Sequence, residues 1–262
     1  MPKIEAVIFD WAGTTVDYGC FAPVQAFIDA FEKFGVTPTN DEVRQPMGML
    51  KIEHIKTMLN MDRIHALWME KYTREYTDQD VQGIYEAFEG SLMQGLHKHT
   101  TIKPYVNETV QALRQRGLKV GSTTGYTDMM MEPVLKSAKE QGYQPDAWFS
   151  PDATNSVGRP YPYMIFKNME VLKLKDVHAI VKVGDTVSDI QEALNAGVHA
   201  IGVVEGSSQM GLNEEEYLAL SAQQKQALIE KVKAEYFAVG AHYVILNLSE
   251  LEDIINIIEK IG

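Results

Sequence analysis

From about Tyr105 onward, short β-rich runs alternate with helical stretches. Leu118–Ser122, Ala147–Phe149, Ala179–Val183, Ala200–Val204 and Tyr243–Leu246 read as strands. Asn107–Arg116, Met129–Gln141, Tyr163–Leu172, Ile190–Ala196, most of Glu214–Val239, and Leu251–Ile261 read as helices. Such alternation leaves a chain few choices, because parallel strands need long crossovers and helices supply them on both faces of the sheet. Ile4–Phe9 joins these strands as a continuous β-rich run, the pattern of a strand buried on both faces. The stretch 19–100 that follows has almost no strand signal. Phe21, Val24, Phe27, Ile28 and Phe31 share one helical face, and Gly35 stops that helix. Thr39-Asn40-Asp41-Glu42 is a capping box that starts another helix near Asn40. Pro46-Met47 is expected to open a further helix, with proline in its first turn. Two more helices fall within Ile64–Tyr76 and Asp80–Leu92. The expected fold is α/β: a Rossmann-like parallel-sheet core from residues 1–18 and 101–262, with an all-helical cap, 19–100, inserted after the first strand. Linkers near Val16–Phe21 and Gly95–Pro104 would let the cap open and close over the sheet.

Composition removes other classes. A chain of 262 residues with 45% hydrophobic and 23% charged residues is neither disordered nor rod-like. Its 36 acidic against 24 basic residues give a net charge of −12, the wrong sign for nucleic acid or an anionic membrane. A small anion still binds wherever the local field is positive. No run approaches the ~18 apolar residues of a membrane span. The apolar stretch before Asp10 is too short for a signal peptide. Cys20, the single cysteine, excludes an intramolecular disulfide and fits a reducing compartment. A cytoplasmic protein acting on a small molecule is expected.

In a doubly wound sheet, ligands bind beyond the carboxyl ends of the strands. The polar residues at those ends are Asp10, then Ser122-Thr123-Thr124-Gly125, Gly158-Arg159-Pro160, and Gly184-Asp185-Thr186-Val187-Ser188-Asp189. Together they offer acids, hydroxyls with free loop amides, and one guanidinium, a set able to hold a divalent cation and a phosphoryl group. Asp10 is the candidate nucleophile, since a carboxylate can attack phosphorus and form an aspartyl-phosphate. Hard oxygen ligands favour Mg²⁺ over zinc. Thr186-Val187-Ser188-Asp189 also matches a capping box, which leaves Asp189 open between ligand and cap. Met47, Lys51 and His54 fall at i, i+4 and i+7 and would share one helical face. Met47 is equally readable as core packing, and Cys20 as a small buried hydrophobe at the hinge. His97-Lys98-His99 reads as solvated, and Met129-Met130-Met131 as helix packing.

These strand ends resemble the four motifs of the haloacid dehalogenase superfamily, a likeness that spans essentially the whole chain. The sequence is similar more closely still to the phosphonatase (phosphonoacetaldehyde hydrolase) family within it. The segments that carry this are Val7–Cys20, Pro46–Lys51, Gly121–Tyr126 and Gly158–Pro162. The resemblance implies cleavage of a C–P bond, with Asp10 as nucleophile and Lys51 as the amine that forms an imine with the substrate aldehyde. It further implies Mg²⁺ held by Asp10, the Ala12 carbonyl, Asp185 and Asp189. Thr124, Gly125, Tyr126, Arg159 and Cys20 would contact substrate, and His54 and Met47 would assist catalysis, His54 as a water-relayed proton shuttle. A homodimer formed through the cap helices is also implied.

Position 12 departs from the wider superfamily, whose phosphatases carry a second Asp there to protonate the departing alkoxide. Ala12 has no proton to give, which leaves the chain poorly equipped for phosphomonoesters. A C–P bond sets a different problem, since its leaving group is a carbanion. An imine on the adjacent carbon takes up those electrons as an enamine. A surface lysine near pKa 10.4 is protonated at neutral pH, and lowering it to about 7 takes about 4–5 kcal/mol, which burial beneath a lid can supply. Lys182 is the rival amine, disfavoured because a residue inside a buried strand faces a helix more often than a cleft. The alternative reading is another phosphatase or phosphomutase of the superfamily. A dinucleotide-binding module is disfavoured by the absence of G-x-G-x-x-G after strand one. A phospho-receiver domain would not explain the helical insertion.

Overall fold

The computed structural model describes residues 3–261; residues 1, 2 and 262, which the sequence reading assigns to the core, lie outside the described residues. Ala6–Phe9 forms β1, whose four side chains are all buried. Val7 and Phe9 join one apolar cluster and Ala6 and Ile8 another, so successive residues serve opposite faces of one sheet. β1 pairs in parallel with β2 (Lys119–Thr123) and with β4 (Ile180–Gly184). β3 (Ala147–Phe149) lies beyond β2, and β5 (His199–Val203) and β6 (Tyr243–Ile245) lie beyond β4. The order is β3-β2-β1-β4-β5-β6, parallel throughout. The register sets Phe9 level with Ser122 on one side and Val183 on the other. Asp10, Thr123 and Gly184 therefore leave the sheet together, at the point where the strand order reverses.

Helices α1 (Phe21–Lys33), α2 (Asn40–Arg44), α3 (Lys51–Leu59), α4 (Asp62–Tyr72) and α5 (Asp78–Gly95) lie in sequence between β1 and β2. They pack on one another around Phe27, Phe31, Ile55, Ile84 and Phe88, with the Phe27 ring stacked on Phe88 at 4.1 Å. α6 (Val106–Gln115) covers the Val7/Phe9 face, and α7 (Asp128–Glu140) follows β2. α8 (Tyr163–Leu172) and α9 (Val187–Ala196) cover the Ala6/Ile8 face. α10 (Glu214–Ala219) and α11 (Ala222–Ala238) precede β6, and α12 (Leu251–Ile261) returns to α6. Among the described residues no helix is long and apolar enough to cross a membrane.

Two local readings are corrected, and a third is refined. Pro46-Met47 opens no helix: the segment after α2 is a turn, Gly48 takes φ +87°, and α3 begins at Lys51. The loop presses on the core so closely that a Cβ at Gly48 would lie 2.4 Å from Thr186 Oγ1. Most of 214–239 is helical as expected, in two helices parted at Leu220-Ser221, because Ser221 makes a capping box with Gln224 and starts α11 afresh. His99 is not merely solvated: its Nδ1 lies 3.3 Å from Asp17 Oδ1, and that partner raises its pKa above 6.5. Asp17 also accepts the N–H groups of Phe21 (3.1 Å) and Ala22 (3.0 Å) at the start of α1, so the two linkers are tied to each other.

Candidate active site

The turn after β1 is built by hydrogen bonding back on itself. Thr14, Thr15 and Val16 donate their N–H groups to the Trp11 carbonyl at 3.1, 2.7 and 3.0 Å, and the Thr15 hydroxyl donates to the Asp10 carbonyl at 3.0 Å. Gly13 takes φ +87°, and a Cβ there would fall 2.1 Å from Asp185 Oδ2. Glycine is thus needed for both the conformation and the close approach of Asp185. Gly13→Ala is expected to cost about 1–3 kcal/mol in backbone strain and to push Asp185 aside. Thermal unfolding with a Mg²⁺ titration checks this, the expected result being a lower melting temperature and weaker metal stabilisation.

Asp10, Asp185 and Asp189 are buried and bring carboxylate oxygens within 4.8 Å of one another. Asp185 accepts the Thr14 hydroxyl (3.0 Å) and the Ser208 N–H (2.7 Å). Burial, then the charges of Asp10 and Asp189, push its carboxyl well above the usual carboxylate range. A divalent cation among these acids would relieve that repulsion, and an all-oxygen donor set fits Mg²⁺. Asp189, like Asp185, has both oxygens engaged, but two of its partners are cations. Oδ1 lies 2.8 Å from Lys182 Nζ and 3.1 Å from an Arg159 nitrogen, and Oδ2 accepts the Thr186 hydroxyl at 2.6 Å. Burial raises its pKa, but the two cations outweigh that and hold it low. Thr186 also caps α9, accepting the Asp189 N–H at 3.2 Å. Asp189 is thus both cap partner and member of the acidic cluster.

Arg159 is buried at the centre. Its Nη2 donates to Asp10 Oδ1 (2.6 Å) and Thr123 Oγ1 (2.8 Å), and its Nε donates to Glu192 Oε2 (3.0 Å). Burial alone would lower its pKa, but Asp10, Asp189 and Glu192 overcome this and keep it charged. Thr124 commits its N–H to the Phe149 carbonyl (3.2 Å), while its hydroxyl accepts the Tyr126 N–H (3.1 Å). That hydroxyl, whose own proton stays available, lies on the cavity wall with Gly125.

The opposite wall comes from the helical block. Lys51, first residue of α3, is 3% exposed. Its Nζ lies 5.3 Å from the ring centre of Tyr126, 5.8 Å from that of Phe27 and 6.0 Å from that of Phe88. Burial, with a contribution from Arg159, pulls its pKa down to about 8, and a position at a helix N-terminus also disfavours a cation. Asp10, Ala12, Cys20, Met47, Lys51, Thr124, Gly125, Tyr126 and Arg159 all line one small cavity. Met47 reaches it from the turn rather than from a shared helical face. Cys20 is the buried residue before α1, and burial pushes its thiol up. His54 is placed otherwise than expected. It is fully buried behind Lys51, stacked on Phe27 at 3.9 Å, and does not line the cavity. Burial and the neighbouring Lys51 drive its pKa well below 6.5. Lys182 is taken up in ion pairs beneath the site, at 2.8 Å from Asp189 and 3.7 Å from Glu192.

Sequence reasoning missed Glu192 and Lys103, and it noted Thr123 at its strand end without giving it a role. Glu192 stands one helical turn beyond Asp189 on α9, and that i, i+3 spacing was the available signal. Lys103 lies in the second linker, where its ammonium donates to the carbonyls of Gly13 and Glu205. Nothing in its local sequence marks it.

A family model described as a haloacid dehalogenase-like hydrolase matches residues 4–197. A phosphonoacetaldehyde hydrolase from Lysinibacillus sphaericus (strain C3-41) is 54% identical over 258 residues, covering 98% of this chain and 96% of its own. A bifunctional phosphonoacetaldehyde hydrolase/aminoethylphosphonate transaminase from Clostridioides difficile (strain 630) is 47% identical across 98% of this chain, which spans 40% of that longer protein. The crystal structure of a phosphonoacetaldehyde hydrolase like protein from Oleispira antarctica superposes with a TM-score of 0.95 at 37% identity, covering 98% of this chain and 93% of that one. The chain is therefore a member of the haloacid dehalogenase-like hydrolases, in the branch of the phosphonoacetaldehyde hydrolases.

Proposed function

We propose that the protein hydrolyses phosphonoacetaldehyde to acetaldehyde and phosphate, through a lysine imine and an aspartyl-phosphate. The observation that carries this is a buried, pKa-lowered Lys51 on the same small cavity as Asp10, with alanine rather than an acid at position 12. In this reading residues 19–100 act as a lid on a core formed by 1–18 and 101–262. Neutral Lys51 adds to the aldehyde carbon, water leaves, and the nitrogen keeps one proton taken up from solvent, giving a protonated imine. Asp10 then attacks phosphorus, the C–P bond breaks, and its electron pair moves into the C=C bond of an enamine as the iminium nitrogen accepts charge. The enamine takes a proton on carbon, and water releases acetaldehyde and restores the amine. A second water cleaves the aspartyl-phosphate. Arg159, the Thr124 hydroxyl and the Gly125 amide hold the phosphonyl oxygens. Asp10, Asp185 and the Ala12 carbonyl would hold Mg²⁺ with Asp189 beside them; when bound, the ion supplies positive charge that lowers repulsion between Asp10 and the phosphonyl group. Two copies joined through the helical caps, in a reducing cytoplasm, complete the proposal.

The test is phosphate release from phosphonoacetaldehyde against release from simple phosphomonoesters. The expected result is turnover of the first and little of the second, and the reverse would favour a superfamily phosphatase. A pH prediction follows from Lys51. With a pKa of about 8, roughly one amine in ten is neutral at pH 7, against a few in ten thousand for an ordinary lysine. Deprotonation makes the nucleophile, so the single-turnover rate of borohydride-trapped adduct should rise about ten-fold from pH 7 to pH 9, with its midpoint at about 8, and level off above about pH 9. A rate still climbing without a plateau toward pH 10 would show an exposed, unperturbed amine.

A further inference from the structure

Glu192 is fully buried, carries a carboxylate, and takes no part in the chemistry above. Its Oε2 accepts from Arg159 Nε at 3.0 Å and from Thr123 Oγ1 at 3.0 Å, while Thr123 Oγ1 itself accepts from Arg159 Nη2 at 2.8 Å. These bonds close a ring that fixes the guanidinium plane and leaves Nη2 directed at Asp10. Lys182 stands 3.7 Å behind the carboxylate. The ring matters because Asp10 changes charge during the reaction. As a carboxylate it holds Arg159 at 2.6 Å, but once esterified by phosphorus it loses its negative charge and much of that hold. Asp189, 3.1 Å away on the metal side, would then draw the guanidinium off the phosphoryl group. We infer that Glu192 is a positioning residue, the permanent anchor that keeps Arg159 aimed at the phosphoryl oxygens while Asp10 cycles between carboxylate and acyl phosphate. The inference rests on the nucleophile and substrate reading above.

The test uses two variants and two probes. Glu192→Gln removes the charge. The double variant Glu192→Met with Lys182→Met removes charge and acceptor together but keeps the pocket electrically balanced, which guards against loss of the fold. Calorimetric titration with inorganic phosphate in Mg²⁺, with melting temperature as the fold check, reads the grip on the anion; borohydride trapping at Lys51 reads imine formation separately. Both folded variants should bind phosphate about ten- to a hundred-fold more weakly, the loss expected when a hydrogen bond to a charged group goes, while adduct forms at the parental rate. Parental phosphate affinity in folded Glu192→Gln, or recovery of it in the charge-balanced double variant, would overturn the inference; if the single variant does not fold, the double variant decides. Absence of adduct in the parent protein would sink the imine reading while phosphate affinity still judges Glu192.

Discussion

Lys51→Arg should abolish phosphonoacetaldehyde turnover, by on the order of 10⁴-fold or more, as loss of a covalent nucleophile does elsewhere. Arginine keeps the positive charge and much of the length, but it stays protonated at any working pH and cannot add to an aldehyde. The head group of Lys51 sits among the rings of Phe27, Phe88 and Tyr126, faces on which a guanidinium also stacks. The measurement is phosphate release together with thermal unfolding. A folded variant with no release supports the account. Near-parental turnover would remove Lys51 from the mechanism.

Asp10→Ala should lose turnover on a similar scale, on the order of 10⁴-fold, because no neighbour can replace the attacking oxygen. Asp185 is tied to Thr14 and Ser208, and Asp189 has both oxygens engaged. Acid-quenched protein exposed to substrate should carry phosphate in the parent and none in the variant. The variant should still form the lysine adduct, since imine formation does not use Asp10. A phosphorylated Asp10→Ala protein would refute the assignment.

Most of the fold was readable because its signals are local. Ala6–Phe9 is apolar on both faces, and the later strands are spaced by helices of ordinary length, so a parallel sheet followed from periodicity alone. The strand ends then placed Asp10, Thr124 and Asp185 together, since register in a parallel sheet brings equivalent ends to one edge. What escaped depends on contacts between distant segments. Pro46-Met47 looked like a helix start, but the turn is set by how tightly Gly48 meets Thr186. His54 sits at good helical spacing from Lys51, yet packing on Phe27 turns it away from the cavity. Glu192 and Lys103 earn their places only through partners far along the chain, Thr123 and Arg159 for one, Gly13 and Glu205 for the other. No window of sequence shows such pairs.

The most direct check is mass spectrometry of peptides from protein reduced with borohydride in the presence of acetaldehyde. An added ethyl group on Lys51 is the predicted result. The same modification on Lys182 or Lys103 instead, or no lysine modified, would contradict the claim that the lid supplies the electron sink for carbon while the sheet edge supplies the carboxylate for phosphorus.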